Sequence, residues 1–304
     1  MDHTFRFHSI AEFHKFCGLP NPEHPLISLI DYSQVYYPVN DNKMKWIQHF
    51  YSVGLKRNVN AKFNYGQQEY DFDAGVLSFV SPQQFLRIEM NPEAKIEPTG
   101  WLLLIHPDFL WNTSLAKKMN TYDFFQYAAN EALFMSDKEE ATIVDLLVAI
   151  ENEYQSKIDK FSQQLIVAQL ETLLIYAERF YERQFLTRTK TSAELLTRFD
   201  GILTDYFKNG EALKHGIPSV QRIAEQMHIS ANYLGTLLRL HTEQNTQQHI
   251  QNKLISLAKE RLSTSALTIG EIAYELGFEH AQSFSKFFKT KTNQSPSDFR
   301  TAFQ

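Results

Sequence analysis

One pattern occurs twice near the end of this 304-residue chain, and it narrows the possible folds more than any other feature. Residues 223–230 read Ile-Ala-Glu-Gln-Met-His-Ile-Ser, and residues 272–279 read Ile-Ala-Tyr-Glu-Leu-Gly-Phe-Glu. In the second copy Thr268 can cap a short helix carrying Ile269, Ile272, Ala273 and Leu276. Gly277 stands where a tight turn needs a left-handed residue, and Phe278 anchors that turn. A second helix begins near His280 and carries Phe284, Phe287 and Phe288 on one face. In the first copy Ser219 can cap a helix bearing Val220, Ile223, Ala224 and Met227, with His228 in the place of glycine. Ser230 caps the next helix, whose Tyr233, Leu234, Leu237 and Leu238 point inward. Two short helices around a tight turn, with a small residue where they cross, make a helix-turn-helix. The spacing predicts two such motifs, at 219–241 and 268–291, joined by a helix over 246–262 with Ile250, Leu254, Ile255, Leu257, Ala258 and Leu262 apolar. That helix is about 25 Å long and can hold two recognition helices roughly 34 Å apart, one turn of B-DNA.

The second recognition helix has a polar face of His280, Gln282, Ser283, Lys286 and Lys289. Glutamine reads purine edges in a major groove, and lysine reads guanine or phosphate. Lys289 and Lys291 lie near the helix end, where lysines face the backbone. Charge alone does not point to nucleic acid. The formal net charge is −5, and residues 191–304 carry 12 Lys and Arg against 11 Asp and Glu.

The chain up to and including residue 107 has a different character. It holds eight of the ten prolines, with short aromatic and β-branched runs at 26–37, 47–59, 75–80, 84–90 and 100–106. These read as antiparallel strands of a small barrel or curled sheet. Beyond residue 107 helical spacing takes over. Ser136-Asp-Lys-Glu139 is a capping box ahead of Ile143, Leu146, Leu147 and Ile150. A second helix is expected over about 161–185, with Leu165, Ile166, Gln169, Leu170, Leu173, Leu174, Ala177 and Phe180 on a broad apolar face. The organisation expected is α+β: residues 1–185 as a sensing or dimerisation domain (β-rich over 26–106, helical over 107–185), a linker at 186–192, and an all-α domain over 193–304 with helices near 193–208, 219–227, 230–241, 246–262, 269–276, 280–291 and 296–302.

Residues 217–301 resemble the DNA-binding domain of the AraC/XylS regulators. The matching positions are Ile223-Ala224, Ser230-x-x-Tyr233-Leu234, Ala258-Lys259-x-x-Leu262, Ile272-Ala273-x-x-x-Gly277-Phe278, Ser283-Phe284-Ser285-x-x-Phe288-Lys289 and the closing Asn293-Gln-Ser-Pro-Ser-Asp-Phe-Arg300. The resemblance implies two helix-turn-helix subdomains on a long helix and a bacterial transcription regulator on double-stranded promoter DNA. By family habit it is an activator more than a repressor, with RNA polymerase as a partner. The family's base-reading positions fall on His280, Ala281, Gln282 and Lys286 in the second helix and on Asn232, Gly235 and Thr236 in the first, with Arg239 also available. Gly235 and Thr236 replace the long polar side chains often found there, His228, Glu243 and Asn293 replace turn glycines, and Leu254 replaces an arginine. Arg300 is expected to be structural. The resemblance also implies a small cupin-like β-barrel before this domain, binding an effector or forming dimers.

Tyr32, Tyr36, Tyr37, Trp46, Phe50, Tyr51, Phe63, Tyr65 and Tyr70 could line an effector pocket, but at period-two spacing they read more readily as core and cross-strand pairs. The effector itself is not legible. No cofactor, metal or catalytic residue is expected: the histidines are scattered, and no phosphate loop or nucleophile motif is present. The lone Cys17 has no motif around it and reads as a small apolar residue. One cysteine, no secretory leader and a longest apolar run of Trp101–Ile105 fit a cytoplasmic protein off the membrane. A homodimer through helices at 136–185 is one arrangement open to the chain. The alternative of a different class is a ligand-binding or enzymatic barrel whose helical tail only assembles subunits.

Overall fold

The computed structural model describes residues 4–37, 43–57, 64–65, 68–69, 75–89, 99–128, 131–156, 159–187 and 189–302. The chain divides into two compact units, Met1–Gln184 and Phe185–Gln304.

The first unit is built on three sheets. β1 (Thr4–Phe7) lies parallel to β3 (Lys43–Gln48), which pairs with β8 (Phe85–Glu89) on its other side. The larger sheet has the order β10 (Leu133–Phe134), β7 (Val76–Val80), β4 (Tyr51–Arg57), β9 (Thr99–Ile105), β2 (Ile27–Asp31), antiparallel throughout. β5 (Asn64–Tyr65) and β6 (Gln68–Glu69) form a small ribbon. Among the described residues these sheets do not close into the barrel expected from the sequence. At His49-Phe50 the expected run 47–59 breaks, and the chain passes from the three-stranded to the five-stranded sheet. Phe50 is wholly buried at this corner. Buried Gln48 holds it: its amide donates to the Phe50 carbonyl and the Ser52 hydroxyl, both at 3.0 Å, and its oxygen accepts from the Trp46 indole at 3.2 Å.

The two larger sheets share a core of Phe7, Ile30, Met44, Trp46, Leu102 and Leu104. The larger sheet is covered on its other face too, where Phe79 meets Phe124, Phe125 and Tyr181, and the Tyr154 hydroxyl donates to the Leu29 carbonyl. A strand buried on both faces has no polar side to show, which explains why Leu102–Ile105 is continuously apolar. Three of the candidate pocket aromatics are core. Tyr32, Trp46 and Phe50 are buried, Tyr37 stacks on Trp46, Tyr51 lies edge-on to Phe125, and Tyr36 faces solvent. Phe63 and Tyr70 lie outside the described residues.

Helices complete this unit. α1 (Ile10–Phe16) was not expected, although Ser9 and Glu12 cap it: the Glu12 amide donates to the Ser9 hydroxyl at 3.2 Å. α2 (Ser114–Lys118) is short. α3 (Asp137–Gln155) starts at the expected capping box, with the Ser136 amide donating to the Glu139 carboxylate at 2.8 Å. α4 (Ser162–Thr187) and α5 (Thr189–Lys208) together take in almost all of the stretch 186–192. One helix thus ends and the next begins within the stretch expected as a linker, which contains no glycine or proline. Among the described residues no helix is long and apolar enough to cross a membrane.

Cys17 sits in the core between the sheets, and burial pushes its thiol up to about 12. At neutral pH it is a thiol, not the reactive thiolate. Iodoacetamide at pH 8 should leave the native chain unmodified and alkylate one site once it is unfolded, as intact mass will show; fast native alkylation would contradict the burial.

Candidate nucleic-acid interface

The second unit is helical. α5 leads to α6 (Glu211–His215), then α7 (Val220–Met227), α8 (Ala231–Thr242), α9 (Thr246–Thr264), α10 (Ile269–Glu275), α11 (Ala281–Thr292) and α12 (Pro296–Thr301). One hydrophobic cluster runs through both helix-turn-helices. It joins Ile223, Ala224, Met227, Leu234 and Leu238 of the first to Ile272, Ala273, Leu276, Phe284 and Phe288 of the second. Ile250, Leu254, Ala258 and Leu262 of α9 lie within the same cluster, so Leu254 is a core residue where the family often has arginine. Ala224 and Ala273 are wholly buried, as a close helix crossing requires.

The repeat extends to the backbone. After α7 the Ile229 amide donates to the Ala224 carbonyl at 3.1 Å, and the His228 amide to Glu225 at 3.0 Å. After α10 the Phe278 amide donates to Ala273 at 2.9 Å, and the Gly277 amide to Tyr274 at 3.0 Å. Both turns are thus the left-handed ending that satisfies a helix's last carbonyls. His228 (φ 58°) and Gly277 (φ 88°) occupy the left-handed position, as expected. The second turn then inserts one extra residue, Glu279, before its recognition helix. The segments after the two recognition helices also match. Thr242 and Thr292 donate to Leu238 and Phe288 carbonyls at 2.6 and 2.8 Å and accept from the amides of Gln244 and Gln294, both at 3.3 Å. Glu243 (φ 59°) and Asn293 (φ 61°) turn the chain, and Asn245 and Ser295 cap the next helix. At the start of α10 the Thr268 amide and hydroxyl, at 2.7 and 2.8 Å, hold the Glu271 carboxyl below the usual carboxylate range.

A left-handed glutamate is costlier than a left-handed asparagine. Glu243→Gly should therefore raise the unit's thermal midpoint, by about 0.5–1 kcal/mol of stability once glycine's entropy is deducted. Asn293→Gly should gain less. A fall in the midpoint for Glu243→Gly would show that the glutamate side chain contributes more than the backbone strain removes.

With the insertion counted, the candidate contact residues superpose at a 50-residue offset. Asn232, Thr236 and Arg239 on α8 correspond to Gln282, Lys286 and Lys289 on α11, one face of each helix. The two faces differ in availability. On α11, Gln282, Ser283, Lys286 and Lys289 are exposed, and their side chains have no hydrogen bond or ion pair among the described residues. His280, exposed, stands at the helix start without capping it. On α8, Asn232 and Thr236 are half-buried, only Arg239 is exposed, and all three already interact with other groups of the protein. Arg300 is not on either face: it donates to the Leu267 carbonyl at 2.7 Å and ties α12 to the segment before α10.

Sequence reasoning missed α6 and the bracing around it. Arg222 lies 5.4 Å over the Tyr206 ring and 3.5 Å from Glu211, and Arg198 donates to the Gln226 carbonyl at 2.9 Å. The glycines at 210 and 216 bracketing α6 were the available signal.

The profile of a helix-turn-helix domain family matches residues 223–302. The regulatory protein SoxS of Salmonella typhimurium is 30% identical over 82 residues, covering 27% of this chain and 77% of SoxS. The chain belongs to the AraC/XylS family of transcriptional regulators. Two other members are longer than the stretch they share with this AraC-type chain. YfiF of Bacillus subtilis, an uncharacterized helix-turn-helix transcriptional regulator, is 30% identical over 147 residues, 48% of this chain and 43% of that one. The raffinose operon regulator RafR of Pediococcus pentosaceus is 32% identical over 82 residues, 27% of this chain and 30% of that one. The chain spans less than half the length of these two relatives.

Proposed function

We propose that this AraC-type chain is a sequence-specific regulator that grips promoter DNA with both helix-turn-helices and reads bases chiefly through α11. The observation that carries this is the exposed, unpaired face of Gln282, Ser283, Lys286 and Lys289, repeated in geometry but not in availability by α8. Gln282 and Lys286 are the base readers, His280 and Ser283 flank them, and Lys289 contacts phosphate. Asn232, Thr236 and Arg239 of α8 serve to position the second motif in the groove.

The first unit supplies control, through a small molecule or a partner. What supports this is a cleft of about 550 Å³ within that unit, lined by Tyr51, Tyr122 and Phe125 together with Gln83, Asn120 and Gln126. Uncharged polar and aromatic walls suit a neutral effector. Activation, with RNA polymerase as partner, follows the family's habit, and the cytoplasm is the place for such a protein.

Capture of genomic fragments by the full-length protein at fixed salt, beside Gln282→Ala/Lys286→Ala, tests the reading. A few upstream fragments should be enriched and lost in the variant. Enrichment that survives the double substitution would remove α11 from its role, and none at any salt would overturn DNA binding.

A further inference from the structure

β4 is the middle strand of the five-stranded sheet, and the period of two divides its residues between the two faces. Tyr51, Val53 and Leu55 lie on the side of the cleft, where Tyr51 meets Phe125. Ser52, Gly54 and Lys56 lie on the other side, toward the three-stranded sheet. There the Gln48 amide reaches the Ser52 hydroxyl, and a Cβ on Gly54 would stand 3.1 Å from the Tyr32 hydroxyl. A small or apolar residue is expected at position 56, between its cross-strand partners Val76 and Gly100. A half-buried lysine stands there instead.

The Lys56 ammonium lies 5.0 Å over the Tyr32 ring. Among the described residues it has no hydrogen bond and no ion pair besides. The next residue, Arg57, takes the carboxylate of Glu140, whose other oxygen accepts from the Gly75 amide at 2.8 Å. The titratable groups around the Tyr32 ring are Tyr37 and Cys17, and burial holds both of them neutral, as it does the Tyr32 hydroxyl. No anion among them offsets the cost of keeping a cation in this place. Desolvation accordingly lowers the Lys56 ammonium below the ordinary lysine value. More of this amine than of an exposed one then carries a free lone pair at neutral pH, the condition under which lysines attack carbonyl groups.

We propose that Lys56 is a nucleophilic amine that binds a small aldehyde covalently as an imine. The Nζ lone pair attacks the carbonyl carbon, and one amine proton passes to the oxygen to give a carbinolamine. The C–O bond then breaks as the C=N bond forms, and the oxygen leaves as water with both amine protons. No oxidant or reductant is consumed, and dilution of the aldehyde reverses the step. A carboxylate is the competing occupant of a lone lysine, but it needs the ammonium form that this position disfavours. The site uses neither the cleft nor α11, so it and the proposed function fail independently.

Treatment of the full-length protein with propanal and sodium cyanoborohydride at pH 7, followed by peptide mapping in a mass spectrometer, tests it. The reductant traps each imine as a stable propylamine. Lys56 should be alkylated about tenfold or more faster than Lys286 and Lys289, which are exposed and unpaired and serve as ordinary amines. Its smaller exposure works against it, so a faster rate can come only from its chemistry. The advantage should shrink as the pH approaches about 10, where ordinary lysines also lose their protons. Lys56→Arg should lose the fast site and keep the slow ones, with an unchanged thermal melt to show that the fold persists. Labelling of Lys56 no faster than of Lys286 would overturn the proposal. So would protection of Lys56 by an equal concentration of propanoate, which would give the site to an anion.

Discussion

Gly277→Ala should cost the C-terminal unit roughly 2–5 kcal/mol and lower its thermal midpoint by about 10–20 °C. Two effects add. The backbone at Gly277 has φ 88°, which an alanine adopts only with strain of about 1–2 kcal/mol. A Cβ built there would also lie 2.7 Å from the Gly216 carbonyl carbon and 2.8 Å from the Ile217 nitrogen. Those are backbone atoms of the segment leading into α7, and they cannot swing aside as a side-chain tip can. The turn of the second motif and the approach to the first must therefore separate, at a further cost of about 1–3 kcal/mol. Gly210→Ala is the control. Its φ of 71° is also left-handed, but the nearest atom to a new Cβ is the Leu213 Cδ1 at 3.8 Å. It should show the conformational cost alone. Equal midpoints for the two variants in a thermal melt would mean that the close approach at Gly277 carries no energy.

The second large effect is an asymmetry between the recognition helices. Gln282→Ala/Lys286→Ala should weaken binding to a captured target fragment by roughly 2–5 kcal/mol, about thirtyfold to several thousandfold, if each side chain reads a base. Asn232→Ala/Thr236→Ala should cost tenfold or less, because those side chains are half-buried and already engaged. Lys289→Ala should act differently from both: it should weaken binding to all sequences alike and reduce the salt dependence by about one ion. Titration of one fragment at several salt concentrations separates the three. A first-helix variant as damaging as the second-helix one would mean that the α8 face opens on DNA and reads bases after all.

The C-terminal unit was legible because its signals are local. Ser219, Ser230, Thr268 and Ser295 cap helices, and Gly277 and Asn293 end them, each acting within a few residues of itself. The candidate contact residues differ in a way the sequence does not show: Gln282 and Lys286 are exposed, whereas Asn232 and Thr236 are half-buried and already engaged. The first unit hid more. The alternation of Trp46, Gln48, Phe50 and Ser52 runs unbroken through the point where the chain leaves one sheet for another, because all four are buried on either side of the corner. α4 is apolar on two faces, and Leu165 was read with the buried face although it lies on the exposed one. The polar, β-branched residues 186–192 suggested a linker, yet with no glycine or proline among them helix enters the stretch from either side.

The common cluster that runs from Ile223 through α9 to Phe288 has a consequence for the DNA. Two helix-turn-helices embedded in one packed interior cannot slide or hinge against each other without opening that interior, and packed interiors yield little. If both motifs grip one duplex, as proposed, the protein acts as a ruler with fixed graduations. Adding one base pair between the two contacted boxes rotates one box by about a tenth of a helical turn relative to the other. The duplex, being the softer partner, must absorb the misfit by bending or twisting, and the energy of doing so depends on the intervening steps that no side chain touches. On that reading, the length and stiffness of the untouched stretch become part of the address recognised.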